Sequence, residues 1–362
     1  MKHSTSFGFV AAMALATAFI SACSSGVSTT EAAPVPAQPF CDGAILAKGK
    51  PVHVFGTGDG CITIRLAGKK ARTQAADGQW DAVLPTMKAG GPYRMTIASR
   101  AGKTIINDIY VGNVIMVAGQ SNMQFKLEES STPQEEWEGD PLLRSYSLPR
   151  MEEGEPWSPE DGWVACTDTN AGRWSAIGYH IGKLLRERTG EATAIINCYQ
   201  GASIIEAWMP KEVATRPDLV LPDELTHIDH RWGYEFNFPG LLYDFTLSRI
   251  FPYTLNEVVW YQGESNTGTE EYTVYPALAA EMVKSWRSAF EDPALPFIMV
   301  QIADYDYRQD DAWKKFQEAQ LTIPDLVDGV TVVPCADVCE SASIHPKTKS
   351  KLAARIVDTI LQ

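Results

Sequence analysis

Five almost uninterrupted apolar runs constrain this chain more than any other feature: NVIMVAG (113–119), ATAIINCY (192–199), EVVWYQG (257–263), PFIMVQIA (296–303) and GVTVVP (329–334). A strand with one wet face alternates apolar and polar residues, and these runs do not. They suit strands buried on both faces, as in a parallel sheet. Helical periodicity lies between them. In SAIGYHIGKLLRERTG, Ile177, Ile181, Leu184 and Leu185 share one face, with Ser175 placed to cap the start and Gly190 the end. Tyr275, Leu278, Met282, Val283 and Trp286 form a second such face, and KTKSKLAARIVDTIL predicts a last helix. The alternation predicts an α/β fold with helices on both faces of the sheet.

The stretch before these runs reads differently. Between about Cys41 and Tyr110, short runs such as CITIRLAG, QWDAVLP and PYRMTIAS are separated by turn signals, which predicts a small antiparallel β-sandwich over 41–110 and a catalytic domain over 111–362. Residues 24–40 are small, polar and proline-rich and predict a flexible linker. Residues 1–23 have a basic start, an apolar stretch and small residues before Cys23, the pattern of a secretory signal. Ile20-Ser21-Ala22-Cys23 also resembles a bacterial lipobox, which would make Cys23 a lipidation site and the protein an exported, membrane-anchored lipoprotein. A plain signal peptide is the alternative; the run is short for a membrane span.

Cys23 apart, six of the seven cysteines remain. In an exported chain they suggest disulfides, paired in sequence order as 41–61, 166–198 and 335–339. The formal net charge of −14 argues against nucleic acid as a partner, because a phosphate backbone needs a basic face.

Open α/β sheets carry their sites at the C-terminal ends of strands. Ser121 lies just past the first apolar run, after Gly119, which would permit a sharp turn. A helix starting near Asn122 would aim free N–H groups at a developing oxyanion. On local grounds alone Ser121 reads more readily as a helix-capping serine than as a nucleophile, and the GxSxG elbow is absent. A nucleophile needs a base. Of six histidines, His53 falls in the β-rich region, His180 within a helix, and His227 and His230 in a loop. His345 follows the last strand and precedes the last helix, so it shares the sheet edge with Ser121. Gly201, Gln262, Glu264 and Asn266 follow two further strands, and a glycine N–H with a side-chain amide suits an oxyanion hole.

Together GQSNM, YQGASIIEAWMP, WYQGESN and IHPKTK resemble, in order, the blocks of the sialate O-acetylesterase family within the SGNH hydrolases. The resemblance runs from about Val52 to the end. It implies a three-layer SGNH-hydrolase-like parallel sheet behind the β-sandwich, with Ser121 as nucleophile and His345 as general base. It also implies an oxyanion hole of the Ser121 N–H, the Gly201 N–H and the Gln262 amide, with Asn266 as the fallback and Asn122 and Glu264 in support. No metal or cofactor is implied. The implied substrates are O-acetylated sialic acid or other acetylated glycans such as xylan or pectin. The family commonly has an acid just before the histidine; here Ala342 and Ser343 stand there. Asp337 is the expected substitute, with Glu340, Ser343 or a bare Ser–His dyad as alternatives. Loss of that acid is also the one feature that favours a non-catalytic glycan-binding protein. Trp157, Trp163, Trp208 and Trp232 are candidates for stacking on sugar rings and equally for the core.

Overall fold

The structure, a computed structural model, describes residues 31–152, 155–157, 162–222, 234–308 and 310–362, with the side chains of Glu152, Glu155, Pro156 and Trp157 excepted. Cys23 and the leader, Trp157 as a side chain, His227, His230 and Trp232 lie outside it.

The central sheet is built on one long strand, β1 (Lys103–Gly119). Around it lie β2 (Asp140–Ser147), β3 (Val164–Cys166), β4 (Thr193–Tyr199), β5 (Glu257–Tyr261), β6 (Phe297–Val300) and β7 (Val330–Val333). Their order is β3-β2-β4-β1-β5-β6-β7, and every pairing is parallel except that of the edge strand β3. All five apolar runs are strands of this sheet. Their side chains alternate between two cores: Met116, Ile196, Trp260 and Met299 pack on one face, and Val117, Ile195, Val259 and Ile298 on the other.

Helices cover both faces, as a sheet that is apolar on both sides requires. Helices α1 (Ala176–Thr189) and α4 (Ser350–Ile360) lie against the second core, with α2 (Tyr275–Ala289) and α3 (Asp311–Gln320) against the first. The Ser175 hydroxyl accepts the Gly178 N–H at 3.2 Å, and Gly190 closes α1 at φ 71°. The predicted face of α2 is fully inside; each such large apolar side chain contributes about 1.5–3 kcal/mol. No helix among the described residues is long and apolar enough to cross a membrane.

The N-terminal region forms two facing sheets. Val52–Thr57 pairs antiparallel with Gln79–Leu84, and Cys61–Leu66 pairs antiparallel with Lys69–Gln74 and with Gly90–Ala98. Gly90–Ala98 in turn pairs with the first half of β1. The boundary drawn at 110/111 therefore falls inside one continuous strand, whose first half serves the β-sandwich and whose second half is the centre of the parallel sheet. The expected linker also ends earlier than residue 40. Val35 and Pro36 pair with Thr57 and Gly56, and Phe40 is buried against Phe55 and Tyr253, so this stretch has apolar anchors that its proline-rich composition concealed.

The expected 41–61 and 335–339 disulfides are not shown, although the Cys335 and Cys339 side chains lie against each other. The 166–198 pairing is excluded by the pleat, since Cys198 points into one core and Cys166 into the other, with the sheet between them.

Candidate active site

Strand β1 ends at the point where the neighbouring strands, β4 and β5, run to opposite sides of it. In open α/β sheets such a switch point is where ligand crevices form, outside the carboxyl ends of the strands. Gly119 makes the exit. It has φ +135°, and a Cβ there would lie 2.1 Å from the Tyr261 carbonyl oxygen of the adjacent β5. Only glycine lets the strand turn so close to its neighbour. A single helical turn, Ser121–Gln124, follows. Ser121 is its first residue, so its N–H has no intrahelical partner and faces outward from the turn.

His345 reaches the same point from the far side of the sheet. It lies on the segment between β7 and α4, and its Nε2 is 2.8 Å from Ser121 Oγ. For Nε2 to accept the hydroxyl proton, the ring hydrogen must sit on Nδ1. Burial, and behind it the ammonium of Lys349, hold the imidazole pKa below its ordinary value, while Glu129 pulls the other way. The ring stays neutral, the form a general base needs.

Gly201, past the end of β4, lies against Ser121: a Cβ there would be 3.7 Å from the serine Cβ. Its N–H donates to the side-chain oxygen of Gln124 at 2.7 Å. A carbonyl oxygen of the protein thus occupies the donor that was expected to receive the substrate's oxyanion. Gln124 was not anticipated; a glutamine at the end of a four-residue helical turn carries no sequence signal of this kind.

Two expected oxyanion groups are turned elsewhere. Gln262 is wholly buried, and its amide nitrogen donates to Gln120 Oε1 (3.1 Å), the Ser203 carbonyl (3.1 Å) and Asn266 Oδ1 (2.8 Å), while its oxygen accepts from Tyr275 (2.8 Å). Asn266, the fallback, is buried too and spends its amide on Glu206 at 3.0 Å. Through these bonds both side chains brace the loops after β4 and β5. Gln120 ties this brace to the Ser121 turn, its Oε1 also accepting the N–H groups of Gly263 and Ser265 at 3.2 Å each.

The substitute acid is likewise not where it was expected. Asp337 is exposed and clamped by Arg355, at 2.7 and 2.6 Å, which holds its carboxyl below the usual range, and no hydrogen bond joins it to the histidine. Glu340 accepts the N–H and hydroxyl of Thr348. Ser343 accepts the backbone N–H of His345 at 3.1 Å and not its ring. Among the described residues no hydrogen bond reaches His345 Nδ1, so the Ser121–His345 pair has no third member there.

Asn122 and Glu264, both expected in support, are joined. Asn122 donates to Glu264 Oε1 at 2.5 Å and to the Ile344 carbonyl at 2.9 Å. Burial raises the Glu264 pKa, and its Oε2 has no partner among the described residues.

The other histidines stand apart. His180 is buried, bonded to Thr132 at 2.9 Å, its pKa pushed down to about 4 by burial. His53, Asp81 and Glu291 bring three donor atoms within 4.8 Å of one another beside the β-sandwich, an arrangement that the 2.9 Å His53–Asp81 pair explains without an ion. Trp208 is core rather than a stacking surface, and Trp163 packs on Tyr146 and Tyr253 with its N–H on the Pro39 carbonyl.

The layered parallel sheet and the polar residues gathered at its C-terminal edge define the class, an α/β hydrolase of the SGNH type. A family model described as a carbohydrate esterase, sialic acid-specific acetylesterase, matches residues 111–362, and this chain belongs to that family. Mouse sialate O-acetylesterase is 22% identical over 372 residues, spanning 85% of this chain and 69% of the mouse protein. The human sialate O-acetylesterase is 24% identical over 365 residues, spanning 85% and 66%. A crystal structure of a carbohydrate acetylesterase from Xanthomonas citri superposes with a TM-score of 0.75 at 29% identity, covering 90% of this chain and 73% of that one.

Proposed function

We propose that this chain is a serine esterase that removes O-acetyl groups from sialic acid or related acetylated glycans through an acetyl-enzyme. One observation carries the reading: Ser121 Oγ and His345 Nε2, 224 residues apart in sequence, lie 2.8 Å apart at the sheet edge. The hydroxyl proton passes to Nε2 as Oγ attacks the acetyl carbonyl. The oxyanion is received by the Ser121 N–H and, once Gln124 swings away, by the Gly201 N–H. The imidazolium then returns its proton to the departing sugar oxygen. Water, deprotonated by His345, attacks the acetyl carbonyl; the acyl–oxygen bond breaks, releasing acetate and restoring the serine.

The lipobox-like residues before Cys23 support an exported, lipid-anchored location for this activity. The family supports sialate esters as substrates, while acetylated xylan or pectin presents the same ester to the same pair. The unsupported Nδ1 favours a second reading, a glycan-binding protein that keeps the fold without turnover. Acetate release from O-acetylated sialic acid and from acetylated xylan, by the chain from Ser24 onward and by its Ser121→Ala variant, separates the two. The esterase reading expects release that disappears with Ser121. Equal rates from both proteins would remove the serine mechanism.

A further inference from the structure

Beneath the reactive pair lies a buried chain of three polar side chains drawn from three separate segments. Lys349, at the entrance to α4, is wholly buried. Its ammonium donates to Asn122 Oδ1 at 2.6 Å and sits 5.2 and 5.3 Å from the ring centres of Phe125 and Tyr261. Asn122, also wholly buried, presents its other end to Glu264 and to the Ile344 carbonyl.

Two features set this apart from packing. A buried ammonium is costly to desolvate, and a methionine would fill the same volume without that cost. The chain also joins the reactive pair directly, because Asn122 follows Ser121 and Ile344 precedes His345. Its single amide spans the two backbones that must meet. An asparagine amide has an acceptor end and a donor end, and an ammonium can only donate. With Lys349 on the oxygen, the NH2 must face Glu264 and Ile344. A flipped amide would set donor against donor on one side and acceptor against two acceptors on the other.

We propose that Lys349 is a positioning residue for the catalytic pair: by fixing the orientation of the Asn122 amide, it ties the Ile344 carbonyl to the serine turn and so holds the His345 ring at the Ser121 hydroxyl. This rests on reading Ser121 and His345 as the reacting groups. Here the carboxylate that orients the imidazole of a triad is replaced by backbone anchorage from one side.

The ammonium has a second effect. It opposes a proton on His345, after burial of the ring and against Glu129. Burial lowers the pKa of Lys349 itself to about 8, while Cys339, Glu264, Cys335 and Glu340, which face it, raise it. Below that value the lysine is charged and keeps His345 neutral at lower pH.

The test is Lys349→Met, with kcat and KM for nitrophenyl acetate measured across the acid range beside the wild type and Ser121→Ala. The expected result is a kcat reduced at least ~10-fold with KM within ~2-fold, and an acid limb displaced to higher pH. A lowered melting temperature with kcat and the acid limb unmoved would mean a purely structural lysine and would overturn the proposal. Should Lys349→Met fail to fold, Asn122→Asp keeps a partner for the ammonium and removes the donor to Ile344, together with the one to Glu264. It should lose kcat to a similar extent, and a wild-type kcat in that variant would sink the idea. Wild type no faster than Ser121→Ala would instead show that the esterase reading itself had failed.

Discussion

Substituting Gly119 by alanine is the sharpest perturbation of the serine's placement. The added Cβ would stand 2.1 Å from the Tyr261 oxygen and 2.7 Å from its carbon, where real Cβ contacts do not fall below 3.0 Å. Relief demands about 0.9 Å of movement between β1 and β5. The Tyr261 carbonyl also accepts the Gln120 N–H at 3.1 Å, so the movement passes straight into the turn that carries Ser121. At φ +135° alanine is strained whatever the space. Strain of about 1–3 kcal/mol and overpacking of about 1–3 kcal/mol together predict a loss of about 2–6 kcal/mol. A displacement near 1 Å of a reacting group costs on the order of 100-fold in rate. Urea denaturation monitored by tryptophan fluorescence gives the first quantity, and kcat for nitrophenyl acetate under fully folded conditions gives the second. Gly201→Ala is the comparator: its nearest contact is 3.3 Å, to the end of the Gln124 side chain, and its φ is not positive, so it should fold with nearly wild-type stability. A Gly119→Ala protein as stable and as fast as wild type would refute the account of the turn.

Three further outcomes follow from the same geometry. Gln124→Ala removes the internal carbonyl that occupies the Gly201 N–H, so kcat/KM for acetyl esters should rise by about 2- to 10-fold, in line with one released hydrogen bond to the oxyanion; an unchanged kcat/KM in steady-state assays would mean that the donor is not used. Asp337→Asn should leave kcat and its pH profile at wild-type values, because that carboxylate serves Arg355; a collapse in kcat would restore it as the third triad member. Because burial lowers the His345 pKa, the acid limb of kcat/KM should lie below pH 6.5, its ordinary value, with activity lost only as pH falls through the lowered pKa; a limb at or above 6.5 would contradict the buried, neutral ring.

How far the sequence announced this site depends on what each residue does. Ser121, Gly201 and His345 were legible because topology alone brings them together: each follows a strand of a parallel sheet, and the ends of such strands share an edge. Gln262, Asn266 and Asp337 follow strands too, yet their assigned roles required knowing where a side chain points. Gln262 turns inward to satisfy buried carbonyls that no pattern displays, and Asp337 is captured by Arg355, 18 residues further along the chain. Lys349 was invisible for the opposite reason. A lysine at the start of an amphipathic helix reads as a solvated charge, and only the packing of Phe125 and Tyr261 around it reveals otherwise. The β-sandwich was read from its turns, but the boundary falls inside one continuous strand that it shares with the main sheet.

The most direct test of the central claim is covalent labelling with a fluorophosphonate probe, followed by peptide mass spectrometry. The account predicts a single adduct on Ser121, absent from Ser121→Ala and strongly slowed in His345→Ala. An adduct on another residue, or none from a protein that releases acetate, would contradict it.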